Sequence, residues 1–340
     1  MKTNILDKLK AVNLVGRGGA GFPAHLKWQW TQQEQATPKY VICNASEGEP
    51  QVSKDFYIMK NHPEQVFFGM QVAMDFLGTK QAYINIQAPY YKKLHKKLDA
   101  LILDYAKQGY QIHVFEEPPS YIGGEETALL NAIEGKRVEP RIKPPYPSQR
   151  GLFGKPTLVH NVETLFDIAA IEQGTFEHRQ FISVIDANKK ETIQHLKENL
   201  SVLEILQKTN SLPNCEYFVH IWGGASGLVL NSAQLNKQKM HGFGSIVVYL
   251  ASIETRVLLL NWLEFYKNES CGKCTPCREG TYQLYQLVKY NKTIPWQEVM
   301  NILEVMEESS FCALGKSLPV PVKSYCRNIL KMNEIVVPNS

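Results

Sequence analysis

Lys39-Tyr40-Val41-Ile42-Cys43-Asn44 runs without a break into Ala45-Ser46-Glu47-Gly48-Glu49-Pro50. The first half has the apolar, partly β-branched character of a short buried strand, and the second half is a polar turn. In α/β sheets, ligands bind where the carboxyl ends of parallel strands open into a crevice, so this junction marks a binding edge. Two carboxylates beside Gly48 can engage ligand hydroxyls or amides there; a solvated acidic turn fits the same residues. Downstream, a helix is expected after His62-Pro63 to residue 77, a strand over 81–86, a helix over 89–105 and a weak strand over 111–115. Lys92, Lys93, Lys96 and Lys97 fall mostly on the solvated face of the 89–105 helix. The alternation is that of a β-α-β fold.

Upstream of the strand, Gly16-Arg17-Gly18-Gly19-Ala20-Gly21-Phe22-Pro23 satisfies G-x-G-x-x-G, but no clear strand precedes it, so as a dinucleotide fingerprint it is weak. Its glycines still leave a backbone bare enough to approach a phosphate, with Arg17 and Lys27 nearby for charge. Tyr121-Ile122-Gly123-Gly124-Glu125-Glu126 opens another helix, where the acids suit the helix dipole and can also hold a polar ligand edge. A proline-rich loop over 141–153 carries Lys143 and Tyr146, and Thr157 to Thr164 brings His160 and Asn161 to a helix start.

From about residue 173 the pattern changes to short strands around one helix at 201–207, the mark of a small α+β domain, with Gly223 to Gly227 as a turn. Beyond residue 256 it is helical, with helices expected over 257–266, 281–290, 297–307 and 320–332 and the cysteines in their loops. Cys271-Gly272-Lys273-Cys274-Thr275-Pro276-Cys277 places three sulfurs at two-residue spacing, which asks for a soft metal and above all an iron–sulfur cluster. Structural zinc, or three unrelated buried thiols, are the alternatives. Cys312 and Cys326 are the candidate fourth ligands; Cys312 lies in a loop, and Cys326 falls within a helical stretch where a buried thiol packs as a small apolar group. Lys273, Arg278 and Lys316 would offset thiolate charge.

A formal charge of +4 on 340 residues is far short of a nucleic-acid binder. Scattered cysteines outside the metal loop give no disulfide framework and point to a reducing compartment. The N-terminus is too charged for a signal-peptide core and no run reaches the roughly 18 apolar residues of a membrane span. Membrane association would therefore run through a partner, with a cytoplasmic location.

Taken in order, GRGGAGFP (16–23), NASEGEP (44–50), YIGGEETALLNAIEGKRVEPRIKPPYP (121–147), GLFGKPTLVHNVET (151–164), ESCGKCTPCREG (269–280) and FCALG (311–315) make the chain resemble the family of flavin-binding, NADH-oxidising subunits of respiratory complex I. NAD-linked hydrogenases and formate dehydrogenases share that family. The resemblance implies an α/β, Rossmann-like FMN domain (1–172), a ubiquitin-like β-grasp domain (173–255) and a four-helix [4Fe–4S] domain (256–340). It implies FMN held by Gly16, Arg17, Gly18, Gly19, Gly21, Lys27, Asn44, Ser46, Glu47, Gly124, Glu125, His160, Asn161 and Thr164. NADH would meet Phe22, Trp30, Glu49, Glu126, Lys143 and Tyr146, and the cluster would be ligated by Cys271, Cys274, Cys277 and Cys312. The implied activity is hydride transfer from NADH to FMN, with single electrons leaving through the cluster to a partner carrying further iron–sulfur centres, including a thioredoxin-like [2Fe–2S] subunit. A diverged relay with another donor or acceptor, or a non-catalytic assembly subunit, are the other readings.

The chain departs from the family pattern where Ser46 replaces an aspartate, where His160 replaces an asparagine, where Gly123 stands for a cysteine and at Gln87-Ala88-Pro89-Tyr90. It also starts almost at the glycine loop.

Overall fold

A computed structural model describes residues 4–332. The chain forms two compact units: one runs to Gly48 and resumes over Ser53–Phe181, and the other takes in Glu49–Val52 and the chain from Ile182 onward.

In the first unit β1 (Tyr40–Ala45), β2 (Gln81–Gln87), β3 (Gln111–Glu117) and β4 (Thr157–Asn161) form a sheet in the order β3-β2-β1-β4, parallel throughout. Parallel neighbours cannot be joined by a hairpin, so helices carry the crossovers. Lys54–Asn61 and Pro63–Leu77 lie between β1 and β2, Ala88–Lys107 between β2 and β3, and Glu126–Ile133 with the single turn Pro147–Arg150 between β3 and β4. Covered on both faces, β1 buries Val41, Ile42, Cys43 and Ala45, which is why its sequence reads as an unbroken apolar run. Pro63–Leu77 packs against Val162–Gln173, and a Cβ on Gly69 would run into the Leu165 carbonyl oxygen. Only glycine permits that approach.

The chain leaves β1 toward β2 on one side and returns from β3 to β4 on the other. The switch point of the sheet therefore lies between β1 and β4, with Asn44 registered against Asn161 at their carboxyl ends. The glycine loop belongs to no strand–turn–helix unit, since the helix Ile5–Ala11 precedes it. It is closed instead by an isolated Val15–Pro23 bridge and a Gly16 N–H to Phe22 carbonyl bond of 2.9 Å, and it feeds the helix Ala24–Gln33.

The second unit holds a mixed sheet. β5 (Arg179–Ile185) enters it, followed by β6 (Glu191–Lys197), β7 (Tyr217–Ile221), β8 (Leu228–Asn231) and β9 (Ser245–Leu250), in the order β6-β5-β9-β7-β8. β5 and β9 are parallel, and β7 runs antiparallel to β8 and β9. The helix Val202–Lys208, opened by a Ser201/Glu204 capping box, packs Val202, Ile205 and Leu206 on Val184, Val219 and Ile246. One helix across a five-stranded sheet of this order is the β-grasp expected from the sequence.

Thr255–Glu269, Thr275–Tyr290, Trp296–Ser309 and Pro319–Asn328 are the four main helices of the C-terminal part, with a short fifth, Ala313–Ser317, among the described residues. Two expectations change. The second helix begins at Thr275, where Pro276 suits the first turn, so Cys277 is helical and not in a loop. The last helix stops at Asn328, short of Met332.

Candidate functional site

At the switch point the glycine loop is a cradle. Gly19 and Gly21 hold φ of +104° and +61°, a conformation that favours glycine, and nothing lies within 4 Å of where their Cβ atoms would be. The Ile122–Gly124 turn closes over the end of β1: Asn44 Nδ2 donates to the Gly124 carbonyl at 2.8 Å, and a Cβ on Gly124 would meet the Ser46 carbonyl oxygen at 3.0 Å. Beneath it the Ser46 hydroxyl is shut from solvent with no hydrogen-bond partner. An open glycine backbone and an orphaned hydroxyl at a sheet switch point fit a phosphate-bearing, polar-ringed cofactor such as FMN.

Glu126 and Lys27 sit at the same edge. Lys27 Nζ lies 3.0 Å from Glu126 and 3.2 Å from the Val159 carbonyl, and Lys143 Nζ lies 2.8 Å from Glu125 and 3.0 Å from Glu126. Burial works to raise the Glu126 carboxyl, but the two ammonium groups reverse it and hold it at about 2. Glu125 caps its helix, its Oε2 accepting from the Thr127 and Ala128 N–H groups at 2.9 Å. His160, in the strand beside β1, accepts the Trp28 indole N–H at Nε2 over 2.7 Å. Burial, then the Lys27 charge, depresses it to about 3, so the ring is neutral. Because indole only donates, the His160 proton resides on Nδ1. Phe22 and Trp30 are 37% and 42% exposed with ring centroids 5.4 Å apart, and Tyr146 is 49% exposed. Large exposed aromatics are platforms for a flat ligand.

Other expected ligand residues turn out to be committed to the fold. Arg17 does not offer its charge to a phosphate: its Nε pairs with buried Asp167 at 2.9 Å and its backbone N–H donates to Thr164 Oγ1. Glu47 binds both oxygens to the Asp55 N–H and one also to the Phe56 N–H, so it anchors the start of Lys54–Asn61. Burial and the Asp55 charge push its carboxyl up, against the pull of Lys54. Glu49 lies in the second unit, where it accepts the Ala225 N–H at 3.1 Å and bonds Ser226.

The support beneath the site is not legible in the sequence. Lys54 is fully buried between Asp55 (2.7 Å) and Glu163 (2.9 Å). Burial alone would depress its ammonium, but Asp55, Glu163 and Glu47 together hold it above its ordinary value. Asn161 Nδ2 donates to the other Asp55 oxygen at 2.5 Å, so the network fixes the Asn161 side chain at the switch point. Glu163 also takes the Phe181 N–H at 2.7 Å.

In the second unit Cys274 precedes the helix Thr275–Tyr290, Cys277 lies in its first turn, and Cys312 precedes Ala313–Ser317. Gly272 turns the loop at φ +75°, pinned by Arg278 Nη1 on its carbonyl at 2.9 Å. Burial pushes the Cys277 thiol up to about 12; the Ser270 hydroxyl opposes this, and Cys274, Cys312 and Cys271 each add repulsion. The four thiols therefore share one locus. Cys326, wholly buried in Pro319–Asn328, behaves as a core residue whose thiol burial raises to about 12. Among the described residues no three Cys, His, Asp or Glu groups are close enough to hold a single metal ion. A [4Fe–4S] cluster takes four thiolates, one to each iron, which is the number gathered around Cys277.

The family described as Nuo51 FMN-binding domain matches residues 9–171, and that described as NADH-ubiquinone oxidoreductase-F iron-sulfur binding region matches residues 257–331. An NADH-quinone oxidoreductase F subunit of Rhizobium meliloti (strain 1021) is 31% identical over 92% of this chain and 83% of its own length. The NADH-quinone oxidoreductase F subunit of Aquifex aeolicus (strain VF5) is 33% identical over 92% of this chain and 80% of its own. An NAD+-reducing [NiFe]-hydrogenase crystal structure in the H2-reduced state superposes with a TM-score of 0.87 at 28% identity, covering 99% of this chain and 63% of that one. A glycine cradle on a parallel sheet, a β-grasp and four gathered thiols define an iron–sulfur flavoprotein. The chain belongs to the family of NADH-quinone oxidoreductase F subunits.

Proposed function

We propose that this chain is the electron-input subunit of an NADH-oxidising complex, using FMN and a [4Fe–4S] cluster. When bound, FMN supplies the conversion between hydride, a two-electron donor, and a cluster that accepts electrons singly. The observation that carries the reading is the pairing, in one chain, of the glycine cradle at the β1/β4 switch point with four thiols at one locus.

The protein's own part is positional. The Gly16 to Gly21 backbone and Lys27 receive the phosphate, and Asn44, Ser46, Gly124, Glu125, His160, Asn161 and Thr164 surround the ring. Phe22, Trp30 and Tyr146 offer aromatic surface for the nucleotide base, and Glu126 and Lys143 face its polar groups. Lys27 and Lys143 both already pair with Glu126, so a nucleotide would bind by exchanging contacts within a preformed ionic cluster. Cys271, Cys274, Cys277 and Cys312 ligate the cluster. The three-part division at residues 172 and 255 belongs to the same reading.

Among the described residues no helix is long and apolar enough to cross a membrane. The cluster has to pass electrons on, which calls for an acceptor subunit with iron–sulfur centres of its own, a thioredoxin-like [2Fe–2S] subunit among them. Attachment to a membrane would come through that assembly. Anaerobic purification followed by addition of NADH tests the function: a flavin band that bleaches supports it. A flavin that stays oxidised favours a relay with another donor, and a protein with neither flavin nor iron refutes the proposal.

A further inference from the structure

One serine hydroxyl contacts the Cys277 sulfur, and a second borders the space beside that residue. Ser270 Oγ lies 3.4 Å from Cys277 Sγ and accepts the Gly272 N–H at 3.3 Å. A metal-bound Cys277 is a thiolate and carries no proton, so the hydrogen in that contact belongs to Ser270. With Gly272 donating to its oxygen, the hydroxyl proton is left to turn to sulfur.

Ser310 is 4% exposed, and its hydroxyl is shut from solvent with no hydrogen-bond partner. A Cβ on Gly315 would collide with Ser310 Oγ and would stand 3.1 Å from Cys277 Cβ, so hydroxyl and cysteine border the same small space. Buried hydroxyls are almost always bonded, and the acceptors that ligation brings to this space are sulfurs. A backbone donor is already aimed in the same way, the Phe311 N–H at Cys274 Sγ over 3.5 Å.

We propose that Ser270 and Ser310 set the reduction potential of the cluster by donating hydrogen bonds to its sulfur at the Cys277 corner. The inference rests on the [4Fe–4S] reading above. Reduction adds negative charge that is shared by the sulfurs, so a donor aimed at sulfur favours the reduced form and raises the potential. Removing one hydroxyl lowers it. A loss of about tenfold in the reduced-to-oxidised ratio at fixed potential corresponds to about 59 mV for a one-electron couple.

The test is an EPR-monitored redox titration of the intact holoprotein beside Ser270→Ala, Ser310→Ala and Ser310→Thr, with iron and sulfide assayed in each. Both alanine variants are expected to titrate lower, and Ser310→Thr, which keeps the hydroxyl, to stay near the parent. Should Ser310→Ala fail to assemble, Ser270→Ala decides. Pulsed EPR of the parent in deuterated water adds a second readout: exchangeable protons coupled to the reduced cluster, fewer in Ser270→Ala. Intact clusters with unmoved potentials and couplings overturn the inference. A parent protein without iron and sulfide overturns the cluster reading itself.

Discussion

Replacing His160 by glutamine should flatten part of the acid sensitivity of the first unit. The imidazole is buried and depressed to about 3 by desolvation and the Lys27 ammonium, with Glu126 pulling weakly the other way. In the unfolded chain it titrates near its ordinary value, so between these limits the unfolded state binds more protons than the folded one. Stability is then fully present above about pH 6.5 and falls as pH drops toward 3. At about pH 4.5, two units below the ordinary value, the cost is about 2.7 kcal/mol at 1.36 kcal/mol per unit. Glutamine keeps an acceptor for the Trp28 indole but cannot take up a proton. Hydrogen exchange of the β1 and β4 amides reads the opening of this unit apart from the cluster-bearing one. The gap between parent and His160→Gln should change by about 2.7 kcal/mol between pH 7 and 4.5, roughly a hundredfold in protection. Contributions from other titrating groups cancel in that difference. A gap constant within about 1 kcal/mol would mean that His160 is not held neutral by burial.

Lys143→Ala removes one cation from the Glu125/Glu126 pair; KM for NADH should rise about tenfold, the worth of one charge-assisted hydrogen bond, with the cluster EPR signal intact. An unchanged KM places the nucleotide elsewhere. Glu163→Gln keeps an acceptor for the Phe181 N–H but leaves fully buried Lys54 with one fewer counter-charge, which should cost about 3–5 kcal/mol in urea unfolding. A loss under about 1 kcal/mol would show that the Lys54 charge is met in another way. Ser46→Asp adds a carboxylate at the end of β1 and should lower the midpoint potential of bound flavin while leaving the cluster potential in place; equal flavin potentials would put Ser46 outside the flavin's reach.

β1 and β2 are legible because a strand buried on both faces reads as a mostly apolar run, and the metal loop because thiols at two-residue spacing have little other use; β3, half-exposed at the sheet edge, reads only as a weak strand, and β4 is hidden in a stretch that reads as polar groups leading into a helix. β6 is not, since all seven of its residues are half-exposed or exposed at the sheet edge and leave no alternation to read. β8 is hidden beside a glycine run that reads as a turn. The larger gap is in the charges. Arg17 beside glycines looks like a phosphate cation and is spent on Asp167, whereas Lys54 and Asp55 are buried with Glu163, more than a hundred residues away in sequence, a meeting that no local pattern announces. Sequence shows which charges exist; only the fold decides which of them meet.

The two departures at the flavin edge make sense against that buried charge. β1 ends at Ala45, Ser46 and Glu47 follow, and burial together with the Asp55 charge already pushes the Glu47 carboxyl up. An aspartate at 46 would bring a further carboxylate beside Glu47, where the cation that acts on Glu47, Lys54, is already held by Asp55 and Glu163. Serine keeps a hydrogen-bonding group there without the charge. His160 replaces one neutral side chain by another only because burial, the Lys27 charge and the Trp28 indole together keep it unprotonated; a protonated imidazole would sit against the Lys27 ammonium. Both substitutions thus leave the balance at the switch point to Lys27 and Lys143 against Glu125 and Glu126, the ionic cluster that a nucleotide would have to rearrange.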